Sequence, residues 1–349
     1  MTTLHRGLAS AALAATLFWS VPVTHAGDDL YTFKKDIAVG GEGGWDYLSV
    51  DAAARRLYVT HATKVVVIDL DTDAVVAEVT DTPGVHGFAI APDLSRGFSS
   101  NGRESKASIF DLKTLKLIMK VDTGANPDSI LYEPSRKEVY TFNGRGQSAT
   151  VFDATSGAVV ATIPLDGKPE FAQVDAKLGR IYVNIEDKNV IRAIDIKTHT
   201  VVASWPLTPG EEPTGLAFDP VTRRLFSTCD KVLVVLDPDS GKVVTTLPTG
   251  SGVDAVAFDP GTRNVFASGS DSTVTIAHID SADKLTLVQT LKSPARARTM
   301  TLDPKTHNLY LAAATFEPGP PAAAGAPPSR PQMVPGTFHV AVFSMKGPS

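Results

Sequence analysis

Seven side chains stand apart by type and by spacing: Asp46, His86, Asp128, Glu170, Thr214, Asp254 and Arg298, separated by 40, 42, 42, 44, 40 and 44 residues. Four carboxyls, an imidazole, a hydroxyl and a guanidinium at one position of a repeat could do three kinds of chemistry. Carboxylate and amide oxygens hold a hard divalent cation. An imidazole acts as a general base or takes a transition metal. Converging guanidinium groups clamp a carboxylate or a phosphate. A position that only capped turns would draw Asp, Ser, Thr or Asn. Asp46, Asp128, Thr214 and Asp254 fit that plainer role, whereas His86, Glu170 and Arg298 do not.

Each of the seven is the second residue of a short opening: WDYLSVD, VHGFAIA, PDSILYE, PEFAQVD, PTGLAFD, VDAVAFD and ARTMTLD. These openings alternate apolar with small or polar residues, as β-strands do. A turn then leads to a second strand with an aromatic near its start, at Tyr58, Phe98, Tyr140, Tyr182, Phe226, Phe266 and Tyr310. A third strand ending in Asp and a hairpin signal such as Ser156-Gly157 lead to a fourth strand. Four strands per unit and seven units predict an all-β, seven-bladed β-propeller with four-stranded blades. The seventh copy stops at its third strand, Val340–Ser344. Leu30–Val39 matches the missing fourth strand, so the last blade is predicted to be closed by the N-terminal strand, which removes an exposed edge.

In a propeller the second residue of each opening shares a face with the loop between strands two and three. That places Asp46 with His61; His86 with Asn101 and Arg103; Asp128 with Asn143 and Arg145; and Glu170 with Asn184, Glu186 and Lys188. Thr214 joins Asp230, Asp254 joins Asp271, and Arg298 lies beside a Pro-rich insertion. The predicted ligand-binding set is Asp46, His61, His86, Asn101, Arg103, Asp128, Asn143, Arg145, Glu170, Asn184, Glu186, Asp254 and Arg298. His86 and Glu170 are the catalytic candidates. Glu170, Asn143, Asn184 and Asp128 are the candidate ligands for a divalent metal ion of the Ca²⁺ or Mg²⁺ type.

The chain has 349 residues and a formal charge of −5, which becomes −6 without residues 1–26, whose only charged side chain is Arg6. An acidic surface does not draw nucleic acid or anionic lipid as a whole. Residues 1–26 read as a signal peptide with an apolar Leu8–Val23 and a cleavage point after Ala26, so a periplasmic or secreted protein is expected. No other segment is long and apolar enough to span a bilayer, and a monomer is the expected state. Cys229 is the single cysteine and is read as a structural strand residue. Residues 27–349 form one domain, interrupted by FEPGPPAAAGAPPSRPQMVPG at 316–336. Extended polyproline or disordered chain is expected there, either as a lid or partner ligand, or as a tolerated surface insertion.

LYVTH at Leu57–His61, IYVNI at Ile181–Ile185 and the recurring VxxID-x-x-T/S-G-x-VV pattern resemble the YVTN-repeat β-propellers, the YncE-like proteins of bacteria. The resemblance covers residues 40–349 and implies the same fold and export. It implies no single activity, since such proteins have been associated with single-stranded DNA, with surface-layer and adhesion roles, and with catalysis. The expected function is binding of a small polar or anionic ligand, or of a protein partner, at the central mouth. A metal-dependent lactonase-like hydrolase on the same face is the alternative. Single-stranded nucleic acid stands third: it would use Trp45 and Phe171 for stacking and Arg103, Arg145 and Lys188 for charge, against four ring carboxyls.

Overall fold

The computed structural model describes residues 29–319 and 330–346. Residues 1–28, which include the expected signal peptide and cleavage point, lie outside the described residues, as do positions 320–329 of the insertion. Seven four-stranded antiparallel sheets make up the chain. Blade one runs outward through Trp45–Asp51, Arg56–His61, Lys64–Asp69 and Ala74–Val79. Blades two to six repeat that order from Val85, Pro127, Pro169, Leu216 and Val253. Blade seven contains Met300–Leu302, Leu309–Ala313 and His339–Met345, and its outer strand is Tyr31–Ala38 from the other end of the chain. Among the described residues the only helical pieces are two 3-10 turns, Pro92–Leu94 and Glu186–Lys188.

The periodic aromatics of the second strands lie between blades. Phe98, Tyr140, Tyr182, Phe226, Phe266 and Tyr310 are all fully buried or nearly so, and each contributes about 1.5–3 kcal/mol through burial. Tyr58 stacks on Phe88 of the next blade at 4.7 Å between ring centroids. The outer strands of blades one to three are mostly exposed, and each buries one residue near its end, Val79, Val121 and Ile163.

The acid that ends most inner strands has two tasks. It caps its own turn: Asp259 accepts Gly261 N–H and the Thr262 hydroxyl, and Asp303 accepts Lys305 N–H and the Thr306 hydroxyl. At three of the blade junctions it also takes a base from the following blade. Arg223 of blade five reaches Asp175 of blade four, and His307 of blade seven reaches Asp259 of blade six. Arg55 of blade one closes the circle on Asp303 of blade seven at 2.8 Å. In blades one to five the Asp that ends the third strand caps the outer hairpin. Asp69 accepts Thr72 N–H at 2.9 Å, and Asp195 accepts Thr198 N–H at 2.8 Å. This is the physical content of the D-x-x-T/S repeat.

The insertion departs from the expected unstructured chain. Its ends pair as a short hairpin, Phe316 with Met333 and Glu317 with Gln332. Phe316 lies 6.0 Å from the Trp45 ring and under the Arg296 guanidinium at 4.9 Å. Apolar contact and a cation–π pair hold a composition that strand propensity alone would not.

Candidate functional site

The side chain at the second position of an opening is aimed by a backbone irregularity. In blades one to four and in blade six the inner strand carries a β-bulge there. Asp46 and Tyr47 together oppose Thr60, and His86 and Gly87 oppose Ser100. A bulge twists the strand and redirects a side chain, here toward the propeller axis. Hydroxyls on neighbouring blades then fix the backbone. The Ser100 hydroxyl donates to the Asp128 carbonyl, Ser129 to that of Glu170 and Ser268 to that of Arg298.

All seven ring residues line one cavity of about 810 Å³ at the central mouth. Seven carboxyls border it (those of Asp46, Asp128, Glu170, Glu186, Glu212, Asp230 and Asp254), against the four bases Lys168, Arg296, Arg298 and Arg330. His86 Nδ1 donates to Asp46 Oδ2 at 2.6 Å and lies 3.7 Å from Asp128 Oδ1. Lys168 Nζ is 2.8 Å from Glu170 Oε1 and also contacts Glu186. The Tyr47 hydroxyl donates to Glu170 Oε2 at 3.3 Å, and Arg298 Nε is 3.2 Å from Asp254 Oδ2.

The electrostatics follow from burial and crowding. Burial and the neighbouring Asp46 push the Asp128 carboxyl up to about 6. Burial and Asp128 push Glu170 up to about 8, in spite of Lys168. Burial raises Asp46 and Asp254 as well. Burial would lower His86, but the hydrogen bond to Asp46 and the charges of Asp128 and Glu170 prevail and push it up to about 9. The imidazole therefore carries a proton at neutral pH, and four carboxyls compete for few cations.

Other predicted residues lie elsewhere. His61 is 1% exposed, stacks on Phe338 at 4.2 Å, and is lowered below its ordinary range chiefly by burial. It belongs to the packing of blades one and seven, outside the cavity lining. Asn101 donates to Glu104 and Ser108, Asn143 to Ser148 and Thr150, and Asn184 to the Thr214 and Gly215 carbonyls. These fully buried amides are framework, which corrects their placement as ligands and removes Asn143 and Asn184 from an all-oxygen Ca²⁺ or Mg²⁺ cage. Arg103 and Arg145 are exposed and outside the lining, so the arginine clamp does not form. Trp45 packs on Phe338 and Phe171 on Tyr47, so neither is a free stacking platform. Lys188 is drawn to Asp187. Cys229 is buried, and burial pushes its thiol up to about 12.

Sequence reasoning missed Lys168, Tyr47 and the base of the insertion, where Phe316, Arg330 and Met333 border the cavity. Lys168 precedes the PEFAQVD opening and Tyr47 lies inside WDYLSVD, and only the fold brings both to Glu170. In the Asn-Gly-Arg tripeptide at Asn101–Arg103 the informative residue is the glycine. A Cβ on Gly102 would sit 2.6 Å from His86 Nε2, so the loop leaves room for the imidazole.

Asp46, His86 and Asp128 each bring one metal-ligating type of atom within 4.8 Å of the other two. The site as a whole is a wide, acid-rich mouth with one His-carboxylate cluster and two engaged ion pairs.

No protein-family model matches the chain, and no curated protein matches its sequence. Solved structures share its fold. A chain of the Kuenenia stuttgartiensis hydrazine synthase superposes with a TM-score of 0.70 at 16% identity, over 84% of this chain and 95% of that one. A chain of the mitotic checkpoint complex superposes with a TM-score of 0.74 at 14% identity, over 98% and 99% respectively. At such identities the likeness is one of fold: this chain is a seven-bladed β-propeller.

Proposed function

We propose that the protein is an exported propeller whose central mouth binds a small polar ligand bearing positive charge, such as an amine or a zwitterion. The observation that carries this reading is the convergence of seven ring side chains on one cavity where carboxyls outnumber bases. The bases nearest the axis are engaged, Lys168 with Glu170 and Glu186, and Arg298 with Asp254. An anionic ligand would meet unpaired carboxylates. A cation relieves the repulsion that raises Asp128 and Glu170. Phe316, Trp45 and Met333 give one wall an apolar surface against which the body of a ligand can pack.

Thermal-shift titration in the presence of EDTA, with a panel of small amines and a matched panel of carboxylates, tests this. Amines should raise the melting temperature and carboxylates should not. Stabilisation by carboxylates alone, or by neither panel, rejects the reading.

Export and kinship with the YVTN-repeat propellers rest on residues 1–26 and on the LYVTH and IYVNI segments. Cell fractionation with N-terminal sequencing should find the protein outside the cytoplasm, beginning at Gly27. A cytoplasmic chain that keeps its first residues would overturn export.

A further inference from the structure

We propose that Asp46, His86 and Asp128 form a binding site for a first-row divalent transition metal, with Zn²⁺ and Mn²⁺ as the best-matched ions. The inference rests on the reading of the mouth as a cation-accepting cavity and assigns one sector of it to a metal.

The donor atoms are His86 Nδ1, Asp46 Oδ2 and Asp128 Oδ1, all within 4.8 Å of one another. Tetrahedral ligands at about 2.1 Å from a metal stand about 3.4 Å apart. The two distances from His86 Nδ1, 2.6 Å and 3.7 Å, bracket that spacing. The three residues come from the same position of three consecutive blades. Bulges and the Ser100 bond to the Asp128 carbonyl set their backbones. A site built on strands in this way is preorganised.

The state of one donor atom also points to a ligand. Asp128 Oδ1 is shielded from solvent and has no hydrogen-bond partner. An uncompensated buried carboxylate oxygen is costly. Lys168 is held by Glu170 and Glu186 and Arg298 by Asp254, and the His86 Nδ1 proton is directed at Asp46, which leaves it 3.7 Å from this oxygen; a metal ion would replace that proton. Held between Asp128, His86 and Asp46, the ion would also serve Asp128 Oδ1. Three protein ligands leave a coordination position facing the cavity, as in metal sites that accept an exogenous ligand. One imidazole with two carboxylates suits zinc or manganese. Ca²⁺ and Mg²⁺ favour all-oxygen shells and should bind weakly.

The test uses the full-length chain stripped with EDTA and then given Zn²⁺ or Mn²⁺ alone. Calorimetric titration, with metal analysis after dialysis, should find one ion per chain. His86→Ala and the near-isosteric Asp128→Asn should each weaken binding roughly 100-fold, with circular dichroism confirming the fold. Arg103→Ala, on an exposed loop outside the cavity lining, should keep the full stoichiometry. Co²⁺ should give visible ligand-field bands that His86→Ala lacks. Wild-type protein that takes up no stoichiometric metal sinks the inference, as does unchanged affinity in both ligand variants. Amine stabilisation under EDTA with no metal uptake removes the metal site and leaves the mouth reading. Metal uptake without any amine response removes the organic ligand and leaves the metal site.

Discussion

Glu170 shows how one residue encodes the strain of the mouth. It is 6% exposed, bonded to Lys168 and Tyr47, and crowded by Asp128. Its carboxyl is raised from an ordinary 4.5 to about 8. Below pH 4.5 the group is protonated in both the folded and the unfolded chain, and its contribution to stability is fully present. Between pH 4.5 and 8 the unfolded chain ionises while the folded chain resists, so stability is lost as pH rises through that window. His86, raised from 6.5 to about 9, loses stability in the same direction between those values. Denaturant midpoints measured at pH 5 and pH 8 should therefore fall in the wild type. Glu170→Gln, which cannot ionise, should fall by clearly less, with His86 accounting for a residual slope. Equal drops in both proteins would mean that Glu170 is ionised throughout.

At the scale of the blade, legibility depended on whether a residue's role repeats. The inner strand and the aromatic of strand two recur every 40 to 44 residues in all seven units, and the acid cap and the D-x-x-T/S hairpin in most, so the architecture and its closure could be read from spacing. The ring position was legible for the same reason, since Asp46, His86, Asp128, Glu170, Thr214, Asp254 and Arg298 share one register and border one cavity. The loop residues divide: Glu186 and Asp230 border the cavity, but sharing a face does not by itself point a side chain at the axis. Asn101, Asn143 and Asn184 instead turn into the blade to meet hydroxyls and carbonyls, because a buried amide needs partners. Arg103 and Arg145 turn outward, because an unpaired guanidinium gains more from water than from a crowded rim. The insertion escaped because its composition forecasts no strand. Phe316, Met333 and Arg296 nevertheless anchor it through contacts that lie far apart in sequence.

At the scale of the whole ring, a single joint decides whether seven blades behave as one body. Blades one to six are each continuous in sequence, but blade seven is completed only when Tyr31–Ala38 pairs with His339–Met345. Tyr31 carries that joint. It is fully buried, its hydroxyl donates to the His307 carbonyl at 3.0 Å, and its ring meets Phe266 of blade six edge-on at 5.2 Å. Gln289 brackets it, accepting Tyr31 N–H at 2.8 Å and donating to its carbonyl at 2.9 Å. Phe33, two residues along the same strand, is 55% exposed and touches only the edge of blade seven near Phe343. The two positions thus separate packing of the joint from strand propensity. Tyr31→Ala should cost about 3–5 kcal/mol, as loss of a buried aromatic does, whereas Phe33→Ala should cost under about 1 kcal/mol. Chemical denaturation followed by tryptophan fluorescence should show a much lower midpoint for Tyr31→Ala. It should also show greater aggregation near that midpoint, because a released N-terminal strand leaves His339–Met345 as an open edge. Matching midpoints for the two variants would show that the N-terminal strand adds little to holding the ring closed. In that case the Arg55 bond to Asp303 and the packing of Trp45 and His61 on Phe338 would hold blades one and seven together.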